Sequence, residues 1–163
     1  NGEFAAQTRI SNTACIISPN NLHLADNIFI GHYNFIEATN NITIDEGCQI
    51  TNYISILSHS SHISIRLYGK YYIGQSEHIG YVKGNVKIGA YTFIGAHATI
   101  MPGSKIGKGS LIAAYSLVKG EFPDFAIISG NPAKVTGDTR DIDQKYLDKN
   151  PELLEFYKEW SNE

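Results

Sequence analysis

Two histidines lie three residues apart in segment 57–62, whose sequence is LSHSSH. The imidazole of a histidine has an unperturbed pKa of about 6.5, so it can accept a proton near neutral pH and act as a general base. The segment comes at the end of a regular pattern of isoleucines and just before a long irregular stretch. A histidine at such a boundary can be held by a strand and still face an open cleft. We therefore predict that His59 is a general base, with His62 as the second candidate.

A six-residue repeat of aliphatic residues must position this segment. One aliphatic residue returns at every sixth place, usually with Gly or Ala after it: Ile88, Ile94, Ile100, Ile106, Ile112 and Val118. Two earlier sets have the same spacing, the second displaced by two residues: Leu24, Ile30 and Ile36, then Ile44, Ile50 and Ile56. Helices and antiparallel strands have periods of about 3.6 and 2, so neither explains the pattern. A short fixed repeat is typical of one unit stacked on itself, as in a parallel β-helix.

Coils made of three hexads predict which residues lie above one another. Ile94 should lie over Ile112, and His97 over Tyr115. The Gly or Ala after each isoleucine is expected where the chain turns sharply and a side chain would be costly. Residues 5–17 are rich in small and β-branched side chains, and we predict a degenerate first coil there.

The repeat is interrupted between Ile56 and Ile88, and the gap is not a multiple of six. About 24 residues, from 60 to 83, must therefore leave the coil as a loop. The loop is rich in aromatic, charged and histidine side chains, namely Arg66, Tyr68, Tyr71, Tyr72, Glu77, His78 and Tyr81. Long loops on a rigid scaffold commonly carry function, so we expect this one to border the site.

The end of the chain changes character after the last hexad. Residues 129–135 are predicted to be extended, and the tail is helical in pattern. Asn150 can cap a helix, and Pro151 suits its first position. One apolar face is expected to dock on the coil or on a neighbouring subunit; it is formed by Leu153, Phe156, Tyr157 and Trp160.

Composition restricts the class of protein. With 42% hydrophobic and 18% charged residues, the chain is predicted to be a folded, soluble domain. Its net charge of -3 argues against a nucleic-acid partner. No apolar run approaches the roughly 20 residues of a membrane span, and no signal peptide is evident. Cys15 and Cys48 lack CxxC spacing, so we expect buried, reduced thiols in a cytoplasmic protein.

The hexads, the His59 segment and segment 130–134 (GNPAK) together resemble the hexapeptide-repeat acyltransferases. The resemblance covers roughly residues 20–137 and is closest to the maltose and galactoside O-acetyltransferases and the bacterial polysaccharide O-acetyltransferases. It implies an all-β fold, a left-handed parallel β-helix over residues 1–137 with a loop insertion at about 60–83. Residues 138–163 would form a C-terminal helical extension. The resemblance also implies a homotrimer with sites between subunits.

The same resemblance implies a reaction. His59 would take a proton from a sugar hydroxyl, and the oxygen would attack the thioester of acetyl-CoA without an acyl-enzyme. Acetyl-CoA is then the co-substrate, no metal is expected, and the carbohydrate acceptor is expected to belong to bacterial surface polysaccharide biosynthesis. Asn34 resembles the acceptor-side asparagine of the family. Loop residues are predicted to contact the acceptor as well, with tyrosine faces on which a sugar ring can lie: Arg66, Tyr68, Tyr71 and Tyr72.

The donor site of the family runs along the coils. Ala96 and Ala114 match the small positions that flank the pantetheine arm, and Phe93 matches an aromatic position. Lys119 and Lys134 match basic positions near the phosphates of coenzyme A. Tyr115 departs from the family, which usually has Gly at that position, and is expected to alter the donor groove.

Four other functions stay open at this point. The same base would serve an N-acetyltransferase acting on an amino sugar or sugar nucleotide. A xenobiotic acetyltransferase would have an Asn- and His-rich acceptor segment, which is absent here. A γ-class carbonic anhydrase would place three histidines on zinc, for which His59, His62 and His97 are available. A non-catalytic β-helix scaffold would bind no coenzyme A.

Overall fold

Short parallel strands and tight corners alternate through most of the chain, whose residues 5–162 are described by a computed structural model. Each turn of the chain adds one strand to each of three sheets, as expected for a parallel β-helix of hexapeptide repeats. We call the sheets face A, face B and face C in the order in which the chain meets them. The AB corner is the turn from face A to face B in each coil, and the BC corner is the turn from face B to face C. The handedness of the coil stays a prediction.

The three faces have these strands. Face A contains Arg9–Ile10, Phe29–Ile30, Gln49–Ile50, Phe93–Ile94, Leu111–Ile112, Ala126–Gly130 and Ala133–Asp138. Face B contains Cys15–Ile17, Phe35–Glu37, Ser55–Leu57, Thr99–Ile100 and Leu117–Val118. Face C contains Leu22–Leu24, Ile42–Ile44, Val86–Ile88, Lys105–Ile106 and Glu121–Phe122. The first coil predicted from residues 5–17 therefore forms, because its strands pair with those of the second coil.

The register shows where the coils differ in length. Ile94 pairs with Ile112, which is one step of three hexads, as predicted. In the earlier coils Ile30 pairs with Ile50, and the step is 20 residues. Ile50 then pairs with Ile94 because the long loop lies between them. Every step from face A to face B, and from face C to the next strand of face A, is six residues, so all the extra residues lie at the BC corner.

The repeating aliphatic residues point inward and form the core. Those of the central hexads are at most 3% exposed: Ile88, Ile94, Ile100, Ile106, Ile112 and Val118. Complete burial of such a side chain contributes about 1.5–3 kcal/mol each, so the stack is held by its interior. Side chains on the outside alternate with them, and on face C these include Lys87, Lys105 and Glu121.

The small residues after the isoleucines are explained by close packing between coils. A Cβ on Gly95 would lie 2.6 Å from the backbone nitrogen of Ala114 in the next coil. The left-handed backbone conformation comes two residues later, at His97, with φ of 61°. The predicted position of the sharp turn is therefore wrong by two residues. A small residue is required at Gly95 because the neighbouring backbone passes so close to it.

Four aromatic rings are stacked along the AB corner, and we call them the aromatic ladder. Tyr33 stacks on Tyr53 with ring centroids 5.1 Å apart, Tyr53 on His97 at 5.0 Å, and His97 on Tyr115 at 4.8 Å. The predicted stacking of His97 over Tyr115 is confirmed. All four residues have φ between 57° and 61°, a conformation that costs an L-residue about 1–2 kcal/mol. Ring stacking, at about 0.5–1.5 kcal/mol per pair, offsets much of that cost.

The predicted loop is present at the BC corner, and it has structure of its own. It contains helix α1 (Ser64–Tyr68) and a 3-10 turn, Gly69–Gly74. A two-stranded antiparallel ribbon of His59–Ser60 and Val82–Lys83 joins the loop to the coil. A further 3-10 turn, Pro19–Asn21, fills the same corner of the first coil.

The C-terminal tail is helical, as predicted, and consists of α2 (Arg140–Leu147), a 3-10 turn (Pro151–Leu153) and α3 (Leu154–Ser161). Asn150 precedes the turn but makes no side-chain cap; its amide instead donates to the carbonyl of Tyr146 at 2.8 Å. Trp160 packs on the coil against Tyr91, with ring centroids 4.7 Å apart. Phe156 is 68% exposed, so the predicted apolar face docks only in part.

The two cysteines differ in environment. Cys48 is buried, and burial raises the pKa of its thiol to about 12. Cys15 is exposed, so the prediction of a buried thiol is wrong there, because Cys15 points outward on face B beside the inward Ile16. Both are free thiols. None of the helices formed by residues 5–162 combines the length and apolarity that a membrane crossing requires.

Candidate active site

His59 lies where the chain leaves the coil and enters the loop. Its strand continues directly from face B and pairs with the returning strand, so that His59 stands opposite Lys83. The backbone of Gly84 donates to the carbonyl of Ser58 at 3.0 Å and closes the base of the loop. A Cβ on Gly84 would lie 2.5 Å from the nitrogen of Gly103, so glycine is required where the loop rejoins the stack. The imidazole is therefore carried by an ordered segment at the edge of the coil.

A buried carboxylate holds the ring of His59. Glu37 lies one coil earlier on face B and is 5% exposed. Its Oε2 bonds to Nδ1 of His59 and accepts a hydrogen bond from the hydroxyl of Ser58 at 3.1 Å. Its Oε1 accepts from the backbone of Thr39 at 2.8 Å and from the Thr39 hydroxyl. Both oxygens of the carboxylate are thus satisfied by neighbours at the BC corner.

The same contacts keep Glu37 ionised. Burial by itself would raise the pKa of this carboxyl, but the hydrogen bonds from Thr39, the attraction of His59 and the hydrogen bond from Ser58 outweigh it. The pKa of Glu37 is therefore lowered from its ordinary value. A carboxylate that accepts from Nδ1 places the ring proton there, which leaves Nε2 with its lone pair. Within residues 5–162, Nε2 of His59 has no hydrogen-bond partner, so it is available to take a proton.

Tyr81 covers the imidazole from the loop side. The two rings are stacked, with centroids 5.1 Å apart and planes 14° apart. Burial raises the pKa of the Tyr81 phenol, with smaller contributions from Tyr72 and Glu37, so the phenol stays neutral. The ammonium of Lys83 lies 5.6 Å from the centroid of the Tyr81 ring. Glu37, His59, Tyr81 and Lys83 therefore form one connected group.

A cavity of about 420 Å³ adjoins this group and is lined by Ser76, Glu77, His78, Tyr81 and Lys83. His78 is fixed by Tyr72, whose ring centroid is 4.1 Å from that of His78 and whose carbonyl lies 2.8 Å from Nε2 of His78. A larger cavity, about 510 Å³, lies on the other side of the molecule between face A and helices α2 and α3. We place the site at the smaller cavity because two of its lining residues belong to the group around His59: Tyr81 is stacked on the imidazole, and Lys83 stands opposite His59 in the ribbon.

Most of the predicted acceptor residues belong to the loop. His62 is exposed, and its Nδ1 bonds to the hydroxyl of Ser60 at 2.8 Å instead of to a carboxylate. Arg66 donates to the carbonyl of His62. The Tyr68 hydroxyl accepts from the backbone of Ile79 at 3.0 Å. Tyr71, 66% exposed, lies under the ammonium of Lys70, and Tyr72 supports His78 as described above. The acceptor role of these residues stays a prediction.

Asn34 lies apart from them, at the AB corner. It is 1% exposed, and its amide donates to the carbonyls of Gly31 at 3.1 Å and Thr51 at 2.7 Å. Its oxygen accepts from the backbone of Ile54 at 2.8 Å. These bonds commit the Asn34 side chain to joining successive coils, so within one chain the structure does not bring it to His59.

The predicted donor residues are distributed over the surface of the coil. Ala96 and Ala114 lie at the AB corner in successive coils. Phe93 points outward from face A, is 42% exposed and lines the cavity beside the helical tail. Lys119 is exposed at the BC corner, two coils beyond His59, and Lys134 is exposed on the last strand of face A. Their role in binding a donor stays a prediction.

Sequence reasoning missed Glu37 altogether and did not assign Tyr81 or Lys83 to the site. One signal pointed to Glu37, since it follows Ile36 where the hexad register slips by two residues. A carboxylate next to an inward isoleucine at an irregular corner is a position for a buried partner. Within residues 5–162, no three His, Cys, Asp or Glu side chains lie close enough together to hold a metal ion.

Comparison with known proteins gives relatives for both the sequence and the fold. The chain is 40% identical over 79 residues to a chloramphenicol acetyltransferase of Klebsiella aerogenes, a match that covers 48% of this chain and 34% of that protein. The chain spans less than half the length of the curated relatives it matches.

Two solved structures have the same fold. A mutant of AntD, an N-acyltransferase of Bacillus cereus in complex with dTDP and coenzyme A, superposes with a TM-score of 0.67 at 19% identity, covering 89% of this chain and 90% of the other. A galactoside acetyltransferase in complex with coenzyme A superposes with a TM-score of 0.57 at 24% identity, covering 85% of this chain and 68% of the other.

The family comparison matches the regular part of the coil. Residues 83–120 fit the family described as bacterial transferase hexapeptide, six repeats. That range contains the six hexads from which the stack was predicted, and it begins at Lys83, which stands opposite His59. The resemblance to the hexapeptide-repeat acetyltransferases is confirmed, and the chain carries the hexapeptide repeat of the bacterial transferases.

Proposed function

We propose that this chain transfers the acetyl group of acetyl-CoA to a hydroxyl group of a sugar, with His59 as the general base. The observation that carries the proposal is the hydrogen bond between Nδ1 of His59 and the buried, ionised Glu37. It leaves Nε2 as the proton acceptor in a ring that is only partly exposed and is stacked on Tyr81, which lines a cavity large enough for a sugar.

The reaction follows from the atoms at the site. Nε2 of His59 takes the proton of the sugar hydroxyl as its oxygen attacks the thioester carbonyl. The tetrahedral intermediate collapses with cleavage of the carbon–sulfur bond, and the leaving thiolate of coenzyme A takes the proton from Nε2. Glu37 accepts from Nδ1 throughout and stabilises the imidazolium that forms between the two steps. The ring thus returns to its starting state after each turnover.

The donor site is proposed to lie between two copies of the chain. Ala96 and Ala114 stand at the AB corner, whereas His59 stands at the BC corner of the same coil stack. A pantetheine arm that follows the two alanines would meet the imidazole of another copy. This arrangement supports a homotrimer with three sites, in which Lys119 and Lys134 lie toward the phosphates of coenzyme A.

A complementation experiment tests that arrangement. The variants His59→Ala and Ala114→Trp should each be inactive as pure proteins, and mixing them under exchange conditions should restore activity if each site takes residues from two copies. Light scattering gives the oligomeric state of each sample. A monomer that is fully active would contradict the shared site.

The reaction itself is tested by release of coenzyme A thiol. Purified protein is incubated with acetyl-CoA and a panel of sugars, amino sugars, oligosaccharide fragments of bacterial surface polysaccharides and chloramphenicol. We expect O-acetylated sugar, identified by mass spectrometry and by its sensitivity to mild base. Exclusive formation of base-stable amides would instead assign N-acetyl transfer, for which the same histidine would serve. Absence of any acetylated product would overturn the proposal.

A further inference from the structure

The wall of the site opposite His59 carries an ammonium group. Lys83 pairs directly with His59 across the antiparallel ribbon, and side chains at directly opposed positions project to the same side. The ammonium of Lys83 lies over the ring of Tyr81, which is itself stacked on His59. One tyrosine ring therefore connects the general base to a positive charge.

The charge of Lys83 is not neutralised by a carboxylate. None of the ion pairs formed by residues 5–162 includes Lys83, and Lys83 is exposed on the wall of the 420 Å³ cavity. The ring of Tyr81 offers it a cation–π contact, which does not remove the charge. A lysine in this position can donate charge-assisted hydrogen bonds to a ligand anion.

The other lining residues make one end of the cavity more favourable for an anion than the other end. Ser76 is a neutral lining residue that can donate a hydrogen bond. Glu77 lines the same cavity and repels a second negative charge, so a bound anion is directed toward Lys83 and Tyr81. Tyr81, which lines this end of the cavity, is stacked on His59, the proposed base.

We infer that the acceptor carries a phosphate or carboxylate group, and that this group binds to Lys83 beside Tyr81. The inference rests on the proposed function, since it takes the sugar that His59 deprotonates to be the ligand of this cavity. It selects charged acceptors over the neutral sugars that the same general base could also acetylate.

Matched pairs of acceptors test the inference. Galactose is compared with galacturonic acid, and glucose with glucose 6-phosphate, so that the carboxylate and the phosphate are examined separately. We expect the wild-type protein to prefer one or both anionic members. The Lys83→Gln variant should raise KM for the preferred anion about tenfold and leave KM for its neutral partner unchanged. Glu77→Gln should lower KM for the same anion, because it removes a negative charge from the cavity wall.

A control variant removes the same type of charge from the same loop. Lys70 lies over Tyr71, outside the cavity lining, so Lys70→Gln should leave both members of each pair unaffected. Equal use of neutral and anionic acceptors, or an equal effect of Lys83→Gln on both, would overturn the inference and leave acetyl transfer intact.

A binding measurement separates this inference from the proposed function. Calorimetry with the His59→Ala protein reports acceptor affinity without turnover. The double variant that combines His59→Ala with Lys83→Gln is measured in the same way. If the anionic sugar binds to the His59→Ala protein and not to the double variant, the anion site is supported even when no acetyl transfer is found. Equal affinity for anionic and neutral sugars would overturn it.

Discussion

The AB and BC corners turn the same chain in the same stack, yet they have different structures. At the AB corner every step is six residues long, and four aromatic rings lie one above another in the left-handed conformation. At the BC corner the first two coils carry extra residues, the third carries the loop of 58–85, and the last coil is shorter. At a corner of constant length, equivalent side chains of successive coils stack on one another. At a corner of varying length, side chains from non-equivalent positions of different coils come into contact.

Polar groups show the same difference. At the AB corner the amide of Asn34 is used up by backbone groups of neighbouring coils. At the BC corner the carboxylate of Glu37 collects donors from Thr39, Ser58 and His59, and one nitrogen of the histidine is left for another partner. The first arrangement stabilises the stack. The second prepares a group for proton transfer, so variants of these polar and stacked side chains should separate loss of proton transfer from loss of stability.

The largest expected effect is that of replacing His59 by alanine. Loss of the general base should lower kcat about 10²- to 10⁴-fold, measured by thiol release with the best acceptor. Affinity for coenzyme A, measured by calorimetry, should be retained. The matched control is His97→Ala in the aromatic ladder, which lies beside the proposed donor groove, so it should leave kcat at saturating acetyl-CoA near that of the wild type and change at most KM for acetyl-CoA. A comparable loss in both variants would erase the functional distinction between the corners.

The next largest effect is expected for Glu37→Gln. An amide cannot hold the imidazole proton at Nδ1 as a carboxylate does, so kcat should fall about 10- to 100-fold. KM for the acceptor should change little, because Glu37 lies behind the histidine. Glu121→Gln, which alters an exposed carboxylate on face C, is the control and should be silent. An unchanged kcat in Glu37→Gln would show that the hydrogen bond between Glu37 and His59 is only structural.

A smaller effect is expected on stability at the AB corner. Tyr53→Ala removes a ring that is stacked on both sides while the backbone keeps its left-handed conformation, so the free energy of unfolding should fall by about 1 kcal/mol. Tyr53→Gly loses the same ring but relieves the backbone, and should be closer to the wild type. Denaturant titration gives both values. A fall in kcat at saturating acetyl-CoA that matched the loss of stability would mean that the ladder does more than stabilise the stack and border the proposed donor groove.

The smallest effect concerns pH. Because the folded-state pKa of Glu37 lies below its ordinary value of 4.5, the ionised carboxylate stabilises the fold fully above about pH 4.5, and this contribution is lost as the pH falls through the lowered pKa. The difference in unfolding free energy between the wild type and Glu37→Gln should therefore shrink as the pH falls below about 4.5. Tyr53→Ala should differ from the wild type by the same amount across this range.

Particular residues show how far the sequence could lead. The hexads gave the stacking of Ile94 on Ile112 and of His97 on Tyr115, because a coil of constant length fixes both. The hexads did not predict that Tyr33 and Tyr53 continue the ladder, since those coils have different lengths. The boundary of the repeat singled out His59, but its partner Glu37 is 22 residues away in another coil.

The sequence by itself determined the repeating core and the place where it is interrupted, since burial of a fixed aliphatic period is a local property of the chain. It also determined that a histidine stands at that interruption. Only the tertiary structure decided which groups surround the imidazole: Glu37 behind it, Tyr81 over it and Lys83 beyond Tyr81. The reason is that coil length sets which residues of successive coils come face to face, and at the BC corner that length is not constant.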